Sequence, residues 1–491
     1  MDDFLDSSGA EESVCILDDR AARPLVVDLD ETLVRTDLLI ESFFVYLSGN
    51  PLRIASAAKS LSKGRARLKA DIAREASIDV ASLPYNFDIL KLIEEARDSG
   101  RAVFLASASD ERYVEAIANH LGLFDGWFAS TATENNPSSA AKAKRLVDAF
   151  GKKGFDYIGN SKADLAVWSE ANRSFAVEPG RAVRSALKRM DPAAIVLETP
   201  GNGLHAWLKL LRIHQWTKNA LILVPMFAAH LFDLTLIATA ILAMISFSLA
   251  ASSIYVLNDL VDLDADRGHW TKKLRPLAAG TVSVRKAMLA APMLLALSLG
   301  LGALVSLQFL AVLLVYLALT TAYTFYLKRK MIIDVIALAS LYTLRIFAGA
   351  AVVASRPSEW ILAFSMFIFT ALALIKRYVE LAARLDAELP DPANRNYRKS
   401  DLFILGALAA ASGLNAVTVF ALYISSDTVH RLYRYPEALW LICPALMYWI
   451  GRALMMAERR FMDDDPLVFA LKDRNSLISF ALIGFIMVAA T

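Results

Sequence analysis

From about residue 205 onward the chain is a succession of long apolar runs separated by short polar breaks. Nine such runs stand at roughly 219–235, 237–257, 285–304, 307–326, 332–353, 359–375, 402–424, 436–455 and 475–490, and runs of this kind are read as membrane-crossing helices. Before residue 205 the pattern is different. Pro24-Leu-Val-Val-Asp28, Arg101-Ala-Val-Phe-Leu-Ala-Ser107 and Phe155-Asp-Tyr-Ile-Gly159 are short apolar strands with polar ends, and helical patterns alternate with them. One of those helices opens around Lys142, after the start signal Asn136-Pro-Ser-Ser. Strands alternating with helices predict a parallel sheet with its ligand at the carboxyl ends of the strands. The chain therefore divides into an acidic, Ser-rich tail (1–22), an α/β domain (23–195), a Pro- and Gly-containing linker (196–204) and an all-α membrane bundle of about nine helices (205–491). The Ala-, Lys- and Arg-rich segment 36–85 reads as a small helical cap or a plain connector.

Composition adds little, because a formal net charge of +2 averages two unlike halves. With no basic, aromatic-rich patch, nucleic acid is not an expected partner. Cys15 and Cys443 are too few and too far apart for a disulfide framework, and they match no zinc pattern. The acidic N-terminus lacks the basic start and apolar core of a signal peptide. Basic residues collect in the loops 258–284, 327–331, 376–400 and 456–474, while the opposite loops carry only Arg356, Arg431 and Arg434. That bias predicts a multi-pass protein of the cell inner (plasma) membrane with its N-terminal domain in the cytosol. Oligomeric state is left open.

The densest chemistry lies where the second apolar run ends. On a helix, Asn258, Asp262 and Asp266 recur every four residues, Asp259 falls on the neighbouring stripe, and Asp264 points away. Carboxylates that close repel unless a cation lies among them, and oxygen ligands together with phosphates suit Mg²⁺. The pattern fits a Mg²⁺–diphosphate site; a solvated acidic loop is the plainer alternative. Further along, Asp334 and Arg345 share a helix face, with Arg345 about 16 Å deeper. An arginine at that depth needs a polar cavity or a partner; the catalytic reading sets Asp334 on a second Mg²⁺ or a sugar hydroxyl and Arg345 on a phosphate, and the plainer one is a structural ion pair inside the bundle. Lys328, Lys376-Arg377 with Glu380, Asn396–Lys399, Asp463–Asp465 and Asp473-Arg474 form a charged collar on the same side. His214 reads as a surface histidine with no metal role. In the N-terminal domain, Asp28 at a strand end, with Asp30 and Thr32 close behind, suits phosphoryl transfer: one carboxylate attacks phosphorus while its neighbour passes a proton. Ser107 ends a second strand with a hydroxyl able to hold a phosphate oxygen.

Taken in order, residues 22–195 resemble the haloacid-dehalogenase (HAD) phosphatase superfamily. The resemblance implies a Rossmann-like fold, Asp28 as nucleophile, Asp30 as general acid/base, and Ser107 and Lys142 as phosphoryl ligands. It also implies Mg²⁺ held by Asp28 and Asp30 with help from Asp164; the family's usual metal-binding Asp is replaced by Asn160, which offers an oxygen without the charge. Residues 205–491 resemble the UbiA superfamily of intramembrane transferases through Asn258-Asp259-x-x-Asp262-x-x-x-Asp266. Most members use Mg²⁺, an isoprenyl diphosphate and a second Asp-x-x-x-Asp; here Leu338 stands where the partner of Asp334 belongs. The remaining signatures are His214-Gln-Trp-Thr-Lys218-Asn219, Arg275-Pro-Leu-Ala-Ala-Gly280, Tyr323, Lys328, Arg345, Lys376-Arg377 and Asp465-Pro-Leu-Val-Phe. They resemble the branch that transfers 5-phosphoribose from 5-phosphoribosyl diphosphate (PRPP) to a polyprenyl phosphate. That resemblance makes Asp259, Asp262 and Asp266 the metal ligands, and makes Lys218, Asn258, Arg275, Tyr323, Lys328, Arg345, Lys376 and Arg377 candidates for holding substrate. Prenyl transfer to an aromatic acceptor is the second enzymatic reading, and a transporter or scaffold is the third.

Overall fold

The computed structural model describes residues 23–49, 56, 59–60, 62, 71–72, 75–76, 78–130, 139–198, 203–269, 271–355, 357–392, 395–462 and 465–491. The expected tail 1–22, much of the segment 50–77, Asn136-Pro137-Ser138, linker residues 199–202, Arg356 and Asp463-Asp464 lie outside these.

The N-terminal part begins with β1 (Leu25–Asp28), α1 (Leu38–Gly49), α2 (Phe87–Asp98), β2 (Val103–Asp110) and α3 (Glu111–Leu121). It continues through β3 (Gly126–Ser130), α4 (Ser139–Phe150), β4 (Asp156–Gly159), α5 (Leu165–Trp168), β5 (Ser174–Val177), α6 (Arg181–Met190) and β6 (Ile195–Leu197). All six strands are parallel, in the order β3-β2-β1-β4-β5-β6. Alternation along β1 explains why helices cover both faces. Leu25 and Val27 pack with Ile89, Ile93, Val114 and Ile117 on one side, while Val26 packs with Leu146, Phe155, Tyr157 and Trp168 on the other. Asp156 is buried at the start of β4, tied to Arg101 Nη2 at 2.7 Å and accepting from Asn172 and Arg173.

The rest is helical. After α7 (Gly203–Leu210), a 3-10 stretch (Ile213–Leu223) runs into the short α8 (Val224–Ala228). Then come α9 (Leu234–Val261), α10 (Leu263–Arg267), α11 (Val284–Val305), α12 (Leu307–Phe325), α13 (Ile333–Val352) and α14 (Glu359–Asp386). The last are α15 (Leu402–Ile424), α16 (Asp427–Leu432), α17 (Ile442–Glu458), α18 (Pro466–Lys472) and α19 (Arg474–Ala490).

The count of spans differs from the nine expected. Among the described residues seven helices are long and apolar enough to cross a membrane, or eight if the pair α18–α19, bent by 80°, is one span. The first expected span, 219–235, is not a continuous helix. Pro225 lacks an N–H for a continuing ladder, His230 takes a left-handed φ of 54°, and the buried Asn219 side chain is committed to tertiary hydrogen bonds. At the other end Asp473, in extended backbone, caps Ser476 and receives Arg452, which fixes the bend before α19.

The chain forms two compact units, neither continuous in sequence: residues up to Leu211 with Tyr255–Ala290, and Arg212–Ile254 with Ala291–Thr491. Each is described by itself below.

Candidate functional site

In the first unit, Asp28, Ser107 and Asn160 all stand at the carboxyl ends of neighbouring strands, because β2, β1 and β4 are adjacent and parallel. Lys142 reaches in from α4 and donates to Asp28 Oδ1 at 2.6 Å, with Asp164 Oδ1 at 3.5 Å. Thr32 donates to the other oxygen of Asp28 at 3.3 Å. Asp30 accepts from the Leu38 amide at 2.9 Å on Oδ1, and from Ser107 Oγ (3.1 Å) and Ser109 Oγ (2.7 Å) on Oδ2. Asp164 is tied down on both oxygens: Tyr157 donates to Oδ1 at 2.7 Å, and Oδ2 accepts from Ser161 Oγ and the amides of Asn160 and Ser161. Asn160 Nδ2 donates to the Glu31 carbonyl at 3.2 Å, tying β4 to the acid-bearing turn.

The electrostatics separate the groups. Burial pushes the Asp28 carboxyl up to about 7, against the opposing pull of the Lys142 ammonium. Burial also raises Asp30, and Asp37 adds to it, in part offset by the Leu38 amide and the two serines. Asp164 is held below the usual range: burial works to raise it, but Lys142 and the Tyr157 hydroxyl outweigh that. Burial raises both Asp28 and Asp30, but the Lys142 ammonium donates to Asp28 and favours its ionised form, which suits Asp28 to nucleophile and Asp30 to proton donor.

The acidic loop also belongs to the first unit. The continuous helix expected through Asn258, Asp262 and Asp266 is interrupted: α9 ends at Val261 and α10 begins at Leu263. Backbone bonds from Asp262 N to Asn258 O (2.9 Å) and Asp266 N to Asp262 O (2.8 Å) preserve the four-residue recurrence across the break. Asp259 and Asp266 are buried, and Asp264 is exposed, as the spacing predicts. Arg275 Nη1 bridges Asp259 Oδ1 at 3.2 Å and Asp266 Oδ2 at 2.6 Å. Asp266 Oδ1 is buried without a hydrogen-bond partner, with the Lys272 ammonium 3.7 Å away. Among the described residues no three acidic, His or Cys side chains are drawn together as a ready metal cluster.

In the second unit, Asp334 is fully buried and engaged on both oxygens. Arg377 Nε donates to Oδ2 at 2.8 Å, and Tyr397 donates to Oδ1 at 2.5 Å. Arg377 also meets Tyr323 Oη at 3.2 Å and Glu380, while Arg395 Nε pairs with Glu380 at 3.2 Å. Tyr397 Oη accepts the amide of Ile332, a β-branched residue held at φ 66°. Arg345 donates to Asn219 Oδ1 (2.8 Å) and the Leu341 carbonyl (2.5 Å). Its guanidinium lies 5.2–5.4 Å from the rings of Phe247, Tyr316 and Tyr342. Lys218 (2.5 Å) and Lys376 (3.5 Å) converge on Asp465 Oδ2. Burial works to raise Asp465, but the two ammoniums hold it below its ordinary value. Lys328 lies on the 3-10 turn Leu327–Arg329 between α12 and α13.

Sequence reasoning singled out most of these groups but missed Ser109 and Tyr157 in the first unit. In the second it had Glu380 and Tyr397 only as collar residues, and Arg395 not at all. Ser109 carries a legible signal, since it lies two residues beyond Ser107 on the same strand face; Tyr157 and Arg395 carry none.

The apolar helices define an integral membrane protein. The model of the UbiA prenyltransferase family matches residues 220–470, just over half of the chain, and the chain belongs to that family of transferases. An uncharacterized protein of Sinorhizobium fredii, y4nM, is 35% identical over 470 residues, covering 95% of this chain and 91% of the relative. A decaprenyl-phosphate phosphoribosyltransferase of Mycolicibacterium smegmatis is 34% identical over 304 residues, covering 58% of this chain and 93% of the relative. A solved HAD family hydrolase of Salmonella enterica is similar over 34% of this chain and 66% of its own, at 15% identity and a TM-score of 0.27.

Proposed function

We propose that the protein transfers 5-phosphoribose from PRPP to a polyprenyl phosphate at the cytosolic face of the inner membrane, and that its N-terminal domain then removes the 5-phosphate. The observation that carries this reading over prenyl transfer is Asp334. Both of its carboxylate oxygens are engaged, by Arg377 and Tyr397, so the chain supplies an internal cation where most of the superfamily uses a second metal-binding motif. The similarity to the mycobacterial phosphoribosyltransferase supports it.

Asn258, Asp259, Asp262 and Asp266 offer an all-oxygen donor set that fits Mg²⁺, and Asp266 Oδ1 is a buried oxygen with no hydrogen-bond partner. Bound there, the ion supplies positive charge against the diphosphate as it departs. Arg275, now shared between Asp259 and Asp266, is the side chain assigned to the diphosphate once those carboxylates have another partner. As the ribose C1–O bond breaks, diphosphate leaves with the electron pair and a lipid phosphate oxygen forms the new bond to C1. The acceptor is already an anion, so no general base is required. Lys218 and Lys376 are assigned to phosphate, and Asp465 keeps their ammoniums together in its absence.

In the N-terminal domain, Asp28 attacks the phosphomonoester phosphorus while Asp30 gives its proton to the departing alcohol; water then cleaves the acyl phosphate to inorganic phosphate. The residues fit Mg²⁺ less well here, since Asp164 is fully hydrogen-bonded and Asn160 contributes no charge. The test is purified protein with Mg²⁺, ribose-labelled PRPP and a polyprenyl phosphate, followed by lipid extraction. Label should enter the organic phase and fall at least a hundredfold in Asp262→Asn; product formed instead from a prenyl diphosphate and an aromatic acid overturns the reading.

A further inference from the structure

Residues 267–285 lead from the acidic loop into α11. Within the first unit they meet the turn that carries Asp30, and the residues beside it, at several points. Arg267 pairs with Glu41 of α1, both almost wholly buried. Burial draws the Arg267 guanidinium down to about 10, so this is a desolvated contact rather than a surface one. Gly280, at φ 68°, lies so close to the turn that an added Cβ would stand 2.6 Å from Arg35 Cβ and 3.2 Å from Pro84 Cβ. Ser283 Oγ donates to Glu31 Oε1 at 3.0 Å. Arg285 pairs with Glu31 Oε2 at 3.6 Å and with Asp37.

These contacts grip the outer side of a turn whose inner side holds Asp30. The residues gripped are Glu31, Arg35 and Asp37; the amide that fixes Asp30 belongs to Leu38, one residue beyond Asp37. The Glu31 carbonyl in turn receives Asn160. Movement of the outer grip is therefore transmitted to Asp30 through one or two peptide units. Arg285 is also the second residue of α11, a helix of membrane-crossing length. A side chain in the first turn of such a helix stands at the level of the lipid head groups, so a turn bound to it is held at that level too.

We propose that segment 267–285 makes the phosphatase-like site a membrane-surface site. Arg285 and Ser283 are positioning residues for the Glu31–Asp37 turn, and hence for Asp30, and the substrate is a phosphate monoester carried on a lipid rather than a free sugar phosphate. The inference rests on the proposed hydrolysis of the lipid-linked phosphate by Asp28 and Asp30, and adds the residues that position that site and hold it at the membrane surface.

The experiment uses the full chain in lipid nanodiscs with Mg²⁺ and two synthetic esters that bypass the transferase: a dodecyl riboside 5-phosphate, which enters the bilayer, and a methyl riboside 5-phosphate, which does not. Released inorganic phosphate is measured. The lipid ester should be hydrolysed with at least tenfold higher kcat/KM, and Asp28→Asn should abolish release from both. Arg285→Ala should lower kcat at least tenfold with little change in KM, and Arg285→Lys should restore part of it. Gly280→Ala, which pushes on the same turn from another point, should reproduce the loss. Equal hydrolysis of the two esters, or rates indifferent to Arg285 and Gly280, overturns the inference while leaving the hydrolytic reading intact. Hydrolysis of neither ester, or hydrolysis that survives Asp28→Asn, overturns both.

Discussion

Lys142 lies between Asp28 and Asp164, yet burial still lifts Asp28 from 3.8 to about 7. Its folded pKa is above its unfolded one, so the folded state holds the extra proton between those values. The associated stability is therefore complete below about pH 4 and is lost as pH rises through about 7. The loss across that window is at most roughly 4 kcal/mol. Asp28→Asn keeps a neutral side chain at every pH, so in chelator its thermal stability relative to the parent should increase from pH 5 to pH 8. A difference independent of pH would contradict the assignment. Asp334 makes the opposite point about reading single residues. Its sequence shows a carboxylate at a membrane-helix start, but Arg377 lies 43 positions away and Tyr397 63 positions away, and neither spacing announces contact.

At the level of elements, β1, β2 and β4 were legible because each is an apolar run ending on a polar residue of the candidate site. β3, β5 and β6 were not, although β3 and β5 are no shorter than β1 and β4, because none of them ends on a residue of the candidate site. The seven long helices were legible from apolar length alone. The first expected span is not one continuous helix because hydropathy averages over Asn219 and Pro225, whose effect is local: one spends its side chain on Ser248 and Arg345, and the other interrupts the backbone ladder. The result is a close crossing between α13 and the 3-10 stretch. A Cβ on Gly349 would stand 2.1 Å from the Ile222 carbonyl oxygen and 2.8 Å from Pro225 Cδ. Backbone cannot yield there as a side-chain tip would, so Gly349→Ala should cost about 2–3 kcal/mol through overpacking. The expected reading is a melting temperature in detergent lowered by several degrees; an unchanged one would mean the stretch moves freely.

For the whole molecule, the bias of basic residues toward four loops predicts which side each faces. In a chain without Cys15 and Cys443, a cysteine replacing Arg434 should react with an impermeant maleimide on spheroplasts, whereas one replacing Asn396 should react only after lysis. Both positions are exposed. The reverse pattern would invert the topology and remove PRPP as an accessible donor. The discontinuous first unit has a consequence for biogenesis. Ser283 and Glu31 are 252 residues apart in the chain, and Arg285 and Asp37 are 248 apart. At about 5–20 residues per second, the ribosome needs roughly 10–50 s to travel that distance. Once Leu197 has been made the six-stranded sheet can form on the nascent chain, but until Ser283 and Arg285 follow, its acid turn lacks their grip. Translation, followed by delivery of α9 and α11 to the bilayer, thus acts as a timer: the turn that carries Asp30 acquires these contacts only on chains that have already begun to enter the membrane.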